Sequence, residues 1–579
     1  MPEVTSRQPA IDGWFATDDA GNPHLVGSKC PRCGTYVFPP RKNNCPNPAC
    51  AGDTLEPVAL STRGTLWSYT ENRYPPPAPY PAPDPFEPFA IAAVELAHEG
   101  LIVLGKVVEG TLAADLKVGM EMELTTMPLF TDDAGVQRMV HAWRRADDDA
   151  VGVPPACGGR SDEVGPPAAC GGERRKMTSV MSPEPLYILG AGMHPWGKWG
   201  RDFTEYGVVA ARAALAEAGL DWRQIQLVAG ADTIRNGYPG FIAGSTFAQK
   251  LGWNGVAVSS SYAACASGSQ ALQDARAQIL AGFCDVALVI GADTTPKGAF
   301  APVQGERKND PDWQRFHLIG AMNPVYFALL ARRRMDLYDA TAEDFAQVKA
   351  KNSRHGLQNP HARYRKESSI DDVLASPMVA DPLRQLDICA TSDGAAALIV
   401  ASAKFTRQHL GSLDGVPSVR AVSTVTPRYP QHLPELPDIA TDSTAVVPAP
   451  ERVFKDQILD AAYAEAGIGP EDLSLAEVYD LSTALELDWY EHLGLCGKGE
   501  AEALLRSGAT TIGGKVPVNP SGGLACFGEA IPAQAIAQVC ELTWQLRGQA
   551  TGRQVANATV GVTANQGLFG HGSSVIVAR

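Results

Sequence analysis

The sequence predicts an α/β protein with a layered core built by duplication, preceded by a zinc ribbon and a small β-barrel. Three observations carry this expectation. Two closely spaced cysteine pairs stand near the start of the chain. A series of short β-type runs follows them. Further on, one helix–glycine–strand pattern occurs twice, at 213–232 and 461–480.

The totals set the frame. A chain of 579 residues suggests about four domains of ordinary size. Hydrophobic residues make up 45% and charged residues 20%, the balance of a globular protein with large cores. A net charge of −15 argues against nucleic acid or an anionic membrane as the main partner. No apolar run approaches the ~20 residues of a membrane span. The N-terminus has no basic region followed by an apolar one, so no secretory signal is expected. Twelve cysteines are too sparse for a disulfide scaffold, so a reduced, cytoplasmic protein is expected.

In chain order, 1–27 reads as an N-terminal extension and 28–56 as a zinc ribbon. Cys30-Pro-Arg-Cys33-Gly is followed by Cys45-Pro-Asn-Pro-Ala-Cys50. Two thiol pairs on tight Gly/Pro turns close a tetrahedron around zinc. Four thiol ligands leave no position for water, so the zinc is structural. From 57 to 146 short strands dominate: 65–70, 89–96, 101–108 and 120–124. The Pro-rich piece 74–88 is excluded from any central strand. Short strands in series predict a small barrel. Residues 147–184 form a Pro/Gly-rich linker in which an Ala-Cys-Gly-Gly unit recurs, at Cys157 and Cys170. A flexible coil of that length averages about 35 Å end to end, long enough for the barrel to dock on its own or a neighbouring core. Two halves of an α/β core then follow, 185–410 and 411–579. In each, an amphipathic helix stops at a glycine and hands over to a buried strand.

Within the first half, a Val/Ser-rich run leads into Cys265-Ala-Ser-Gly-Ser269, and helical spacing resumes at Ala271, Leu272, Ala275 and Ile279. Cys265 is therefore expected at a helix N-terminus, where unpaired N–H groups and the helix dipole favour a thiolate. A buried structural cysteine is the bland alternative. Gly268 lets a substrate or second helix approach closely. In the second half, Gln534-Ala-Ile536 lies five residues past Glu529, as Gln270-Ala-Leu272 lies five past Cys265. This match places both residues at helix N-termini, one from each half.

Residues 28–145 resemble the zinc-ribbon plus OB-fold family that accompanies thiolase-like enzymes of acyl-CoA metabolism. The cysteine pairs, Phe38-Pro-Pro-Arg41 and Gly64-Thr-Leu-Trp-Ser-Tyr-Thr70 carry that resemblance. From about 186 onward the chain resembles the sterol-carrier-protein-type thiolases. The Cys265 turn, Cys284-Asp-Val-Ala-Leu-Val-Ile-Gly-Ala292, Thr391-Ser-Asp-Gly-Ala-Ala-Ala-Leu398, Leu493-Gly-Leu-Cys-Gly-Lys-Gly-Glu-Ala501 and Asn519-Pro-Ser-Gly-Gly-Leu524 carry it, in the family's order. The resemblance implies a five-layered α/β/α/β/α fold, a homodimer and a coenzyme A thioester substrate. It makes Cys265 the nucleophile that takes the acyl group of a 3-oxoacyl-CoA. It also implies an oxyanion hole from the backbone N–H groups of Cys265 and of the glycine turn near Gly570.

The departures fall on the acid–base residues. The family's His-Asp-Cys-Phe is Tyr479-Asp-Leu-Ser482 here, and its Gly-His-Pro is Gly528-Glu-Ala530. Tyr479 can donate a hydrogen bond to an enolate. Glu529 suits a general base. Cys526 and His571 are further candidate proton carriers. A satisfied core tyrosine, a helix-terminal charge, packing and a turn residue are the respective structural alternatives. Lys351 and Arg354 are candidate partners of the coenzyme A phosphates or a solvated helix face. The expected function is a thiolase-like acyltransferase. A retro-aldolase acting on a β-hydroxyacyl-CoA and a non-catalytic carrier of acyl-CoA are the alternatives.

Overall fold

The computed structural model describes residues 4–146, 184–232, 242–295, 307, 310–567 and 570–579. All but the last residue of the 147–184 linker, with Cys157 and Cys170, lies outside the described residues. Five strands close the barrel: β1 (Arg63–Asn72), β2 (Phe89–Leu96), β3 (Leu101–Val107), β4 (Glu121–Thr131) and β5 (Val136–Arg145). The hydrogen-bonded circuit is β1-β2-β3-β5-β4-β1, with β3 and β5 parallel. Three of the strands expected from sequence match β1, β2 and β3 closely, and 120–124 is the start of the longer β4. The closing strand β5 is not among the expected strands, because its buried run Met139–Trp143 is interrupted by His141. His141 is buried, with its Nε2 2.9 Å from Leu104 O.

The extension expected at 1–27 belongs to the folded body. Ser6–Pro9 pairs in parallel with β5, Pro23–Lys29 is a strand of the ribbon, and Trp14 and Leu25 are buried in the barrel core. The barrel core does not end at the barrel. Trp313, Ile319, Val325 and Leu329, from helices of the following region, join Ile91, Val103 and Leu104 in one apolar cluster. Asn72 donates to Gly320 O at 3.0 Å and Ser68 to Leu329 O at 2.7 Å.

The core shows the duplication in full. The first half runs β6 (Leu186–Gly197), α1 (Phe203–Ala218), β7 (Leu227–Ala231), α2 (Ala243–Leu251), β8 (Ala257–Ser261), α3 (Ser267–Leu280) and β9 (Val286–Asp293). Helices α4 (Pro311–Ile319), α5 (Asn323–Tyr338) and α6 (Ala342–Gly356) are inserted before β10 (Asp393–Ala401). The second half runs β11 (Ser418–Val425), α7 (Phe454–Ala466), β12 (Leu475–Val478), α8 (Thr483–His492), α9 (Ile531–Arg547), β13 (Val560–Gly567) and β14 (His571–Ala578). Gly219 and Gly467 end α1 and α7 in the left-handed conformation, at φ 65° and 68°. A short 3₁₀ turn follows each, then a fully buried strand.

The strand order is β8-β7-β9-β10-β6 for the first half and β11-β14-β13-β12 for the second, joined where β6 meets β11. Helices α3 and α9 lie between the two halves of the sheet, while α1 and α2 cover one outer face and α7 the other. This is the expected α/β/α/β/α layering. Gly268 permits the central contact. A Cβ there would fall 2.8 Å from Ile536 Cγ1 and 3.0 Å from Ile536 N. No helix among the described residues is long and apolar enough to cross a membrane.

Candidate active site

Two helix N-termini, one from each half, bring two of the candidate groups together. Neither α3 nor α9 has a side-chain cap, so the first-turn N–H groups stay unclaimed by side chains. Cys265 stands two residues ahead of α3, and Glu529 two ahead of α9. The Cys265 thiol donates to Glu529 Oε1 at 3.0 Å. The Tyr479 hydroxyl, just past β12, donates to the same oxygen at 2.6 Å. All three residues are buried, none more than 3% exposed.

The turn that presents Cys265 is strained. Ala264 has φ 47°, a left-handed conformation that costs a non-glycine residue about 1 kcal/mol or more. Ser267 holds it there: its Oγ accepts from Ala263 N at 2.9 Å and donates to Ala264 O at 2.6 Å. Against this turn lies Gly567, at the end of β13. A Cβ on Gly567 would come within 2.7 Å of Ala263 O and 3.2 Å of Cys265 N. The glycine beside the Cys265 N–H is therefore Gly567. Three residues on, Gly570 faces Pro427 and Leu436.

Glu529 is pinned on both sides of its backbone. Its N–H donates to Ala390 O at 2.7 Å and its carbonyl accepts from Ser392 N at 2.8 Å. Asp480 ties the Tyr479 strand to the same region. Its carboxyl accepts from Leu524 N at 2.7 Å, Ala525 N at 3.2 Å and Asn352 Nδ2 at 3.1 Å. Burial, reinforced by Glu486, pushes the Asp480 carboxyl up to about 8. Sequence reasoning assigns Asp480 no role, although an ionisable residue next to Tyr479 is the available signal.

Burial, then the Glu529 carboxylate, pushes the Cys265 thiol well above its ordinary range. The helix terminus pulls the other way, towards the thiolate. A helix terminus is worth about 0.3–1 kcal/mol, too little to offset desolvation beside a carboxylate. A second thiol, Cys389, is also absent from the sequence-based candidates. Its N–H donates to Leu481 O at 2.9 Å, and burial followed by Glu529 pushes its thiol up too.

The other candidates do not join this cluster. Cys526 turns its thiol to Asn352 O at 3.3 Å and packs against Gly356. His571 is exposed at the head of β14. Lys351 is buried, paired with Glu486 at 2.8 Å and donating to Val518 O, so it is not available to a phosphate. Arg354 stays exposed, 4.0 Å from Glu367. A cavity of about 50 Å³ adjoins Tyr479, lined among others by Phe327, Leu436, Leu481, Trp489 and Gly567.

The metal site lies elsewhere. The sulfurs of Cys30, Cys33, Cys45 and Cys50 lie within 4.8 Å of one another. The pairs Cys30–Cys50 and Cys33–Cys45 are 3.8 and 3.5 Å apart. Zn–S bonds of about 2.3 Å set tetrahedral edges of about 3.8 Å, so the four thiols fit zinc. Gly52 leaves room at the cluster, where a Cβ would stand 3.0 Å from Cys30 Sγ. A strong chelator is expected to release one zinc per chain, measured by plasma mass spectrometry, and to lower the melting temperature. Cys33→Ser with Cys45→Ser should release the same equivalent. Glu435, Asp488 and His492 also cluster, but the Lys455 ammonium sits among them, 2.5 Å from Asp488 and 3.3 Å from Glu435.

Comparison with known proteins matches four stretches of the chain to family models. Residues 186–404 match the thiolase N-terminal domain and 456–579 the thiolase C-terminal domain-like family. Residues 17–56 match the ChsH2 rubredoxin-like zinc ribbon domain and 57–126 the ChsH2 C-terminal OB-fold domain. Sterol carrier protein 2 of Rattus norvegicus is 32% identical over 405 residues, covering 66% of this chain and 70% of the relative. The benzoylsuccinyl-CoA thiolase subunit BbsB of Thauera aromatica is 34% identical, covering 64% and 91%. Among solved structures, an Ltp2-ChsH2(DUF35) aldolase superposes with a TM-score of 0.56 at 25% identity, covering 69% of this chain and 98% of that one. Human mitochondrial 3-ketoacyl-CoA thiolase shares the fold, with a TM-score of 0.51 at 15% identity.

Proposed function

Since the chain belongs to the thiolase family, we propose that it transfers the acyl group of a 3-oxoacyl-CoA through a thioester on Cys265. The observation that carries this reading is the 3.0 Å contact from the Cys265 thiol to Glu529 Oε1. A thiol within hydrogen-bond reach of a fixed base is an activated nucleophile. Glu529 takes the thiol proton as sulfur attacks the 3-oxo carbon. The bond between C2 and C3 breaks, leaving the acyl group on sulfur and its electron pair on C2 as a coenzyme A thioester enolate. The Tyr479 hydroxyl is placed to hold the enolate oxygen. Glu529 returns its proton to C2, which releases the C1–C2 fragment as its coenzyme A thioester. A coenzyme A thiol then takes the acyl group from Cys265. One carboxylate thus serves where the family uses two acid–base groups, in keeping with Leu481 in place of the family's second cysteine.

The test is the intact mass of the protein after mixing with 3-oxoacyl-CoA. An acyl adduct that maps to Cys265 is expected, and its absence during turnover overturns the reading. A retro-aldolase is the second reading, favoured by the 2.6 Å Tyr479–Glu529 bond. That pair can accept the proton of a β-hydroxyl without any help from sulfur. In that case Cys265→Ala keeps cleaving a β-hydroxyacyl-CoA while Tyr479→Phe does not. A non-catalytic carrier gives the thiol–carboxylate contact no purpose.

The core is further proposed to act as a homodimer through the edge strand β8. That strand ends the sheet, and Val258, Tyr262 and nearby Trp253 and Ile242 are exposed around it. An open edge with apolar neighbours is a pairing surface. Sedimentation equilibrium should give twice the 61.4 kDa chain mass, and a monomer at micromolar concentration would reject the dimer. The barrel is proposed to serve its own core, supported by the apolar cluster it shares with α4 and α5.

A further inference from the structure

One buried carboxyl spans the two segments that carry Tyr479 and Glu529. Asp480 follows Tyr479 directly and is 3% exposed. Its Oδ1 accepts from Leu524 N at 2.7 Å and its Oδ2 from Ala525 N at 3.2 Å. Both N–H groups belong to the first turn of a short helix, Gly523–Phe527, which ends two residues before Glu529. The third donor is Asn352 Nδ2 of α6, at 3.1 Å. The Lys351 ammonium beside it is taken by Glu486 at 2.8 Å, so neutral N–H groups hold the Asp480 carboxyl. A buried carboxyl without a cation is a poor source of stability.

The two segments have separate anchors. Tyr479 is tied to β13 by its N–H, which donates to Ala564 O at 3.0 Å, and to α8 by its carbonyl, which accepts from Trp489 Nε1 at 3.1 Å. Glu529 is tied to the backbone of Ala390 and Ser392. A backbone bond from Cys389 N to Leu481 O joins these two frames, and the Asp480 carboxyl adds a side-chain bond across them. The short helix passes that constraint on. Gly528 N donates to Leu524 O at 2.7 Å, and Ser392 Oγ donates to Phe527 O at 2.6 Å. Gly523 permits the approach, since a Cβ there would collide with Asp480 Oδ2.

We propose that Asp480 is a positioning residue that sets the Tyr479 hydroxyl on the Glu529 carboxylate. It acts on the chemistry only through that 2.6 Å contact. Misplacing a group by about 1 Å can cost about 10² in rate. The inference rests on the site proposed above and holds for either reading of its reaction, because Tyr479 and Glu529 act together in both.

The experiment is a double-mutant cycle of Asp480→Asn and Tyr479→Phe. It is run at pH 9, above the value of about 8 to which burial and Glu486 push the Asp480 carboxyl, so that the wild type carries the carboxylate. Asparagine keeps the shape but turns an amide donor towards N–H donors. Two rates are read: cleavage of 3-oxobutanoyl-CoA, and alkylation of Cys265 by iodoacetamide, followed by mass spectrometry. Burial raises the Cys265 thiol pKa and the Tyr479 hydroxyl opposes it, so Tyr479→Phe should slow both. Asp480→Asn alone should lower kcat about tenfold and leave KM within about twofold. In the Asp480→Asn background, Tyr479→Phe should then cost little more in either rate, because the contact it removes is already lost. Effects that multiply to within about twofold in both rates are those of independent residues and overturn the proposal. Faster alkylation in Asp480→Asn also overturns it, since the carboxylate would then act on the sulfur by its charge. Gly523→Ala, which drives the carboxyl away without removing it, is read in the same cycle if Asp480→Asn does not fold. A failure of the thiolase-type reading appears separately, as no acyl-Cys265 from 3-oxobutanoyl-CoA in the wild type, and the alkylation cycle then decides alone.

Discussion

Cys265→Ala is expected to lower kcat/KM for cleavage of a 3-oxoacyl-CoA by at least about 10³-fold, or some 4 kcal/mol of barrier. The loss is large because the covalent route disappears with the sulfur, leaving only binding and the hydrogen bond from Tyr479. The fold should tolerate the change. Alanine is smaller than cysteine, and the turn is held by Ser267 rather than by the thiol. Wild-type melting temperature together with lost turnover would place the defect in chemistry. Undiminished turnover by the alanine variant would move the reaction to Tyr479 and Glu529 alone.

Glu529→Gln has the second largest expected effect, and it should move two measurements in opposite directions. Turnover should fall about 10²–10⁴-fold, the usual contribution of a general base. Glutamine keeps the length of the side chain and still offers an oxygen to Tyr479, so the geometry should hold. The thiol pKa behaves differently. In the wild type, burial and the Glu529 carboxylate both raise it well above 9. Removing the negative charge removes the second cause, so the thiol pKa must fall. Alkylation of Cys265 by iodoacetamide, followed against pH, should therefore show a midpoint at lower pH in the variant. A midpoint that stays or rises would show that the carboxylate does not face the sulfur.

Much of this protein is legible in its residues alone. The zinc ligands are readable because two thiol pairs on tight turns are a local signal whose chemistry needs no distant partner. The duplicated core is readable because helix period, glycine stop and buried strand repeat in order at 213–232 and 461–480. Even the pairing of Cys265 with Glu529 leaves a trace in the matching Gln-Ala steps of α3 and α9. Other features are out of reach. Strand β5 hides its inward face behind His141, whose burial depends on Leu104 from another strand. The glycine turn near Gly570 is readable as a neighbour of Cys265, but only the approach of β13 to the Ala264 turn singles out Gly567.

The sequence by itself determined the modules, their order, the metal and the candidate nucleophile, since each is encoded within a short window. Only the tertiary structure decided the company that Cys265 keeps. Desolvation and the position of a carboxylate 264 residues away have no local signature. They arise when two helices from different halves meet, and there the protein interior outweighs the helix dipole.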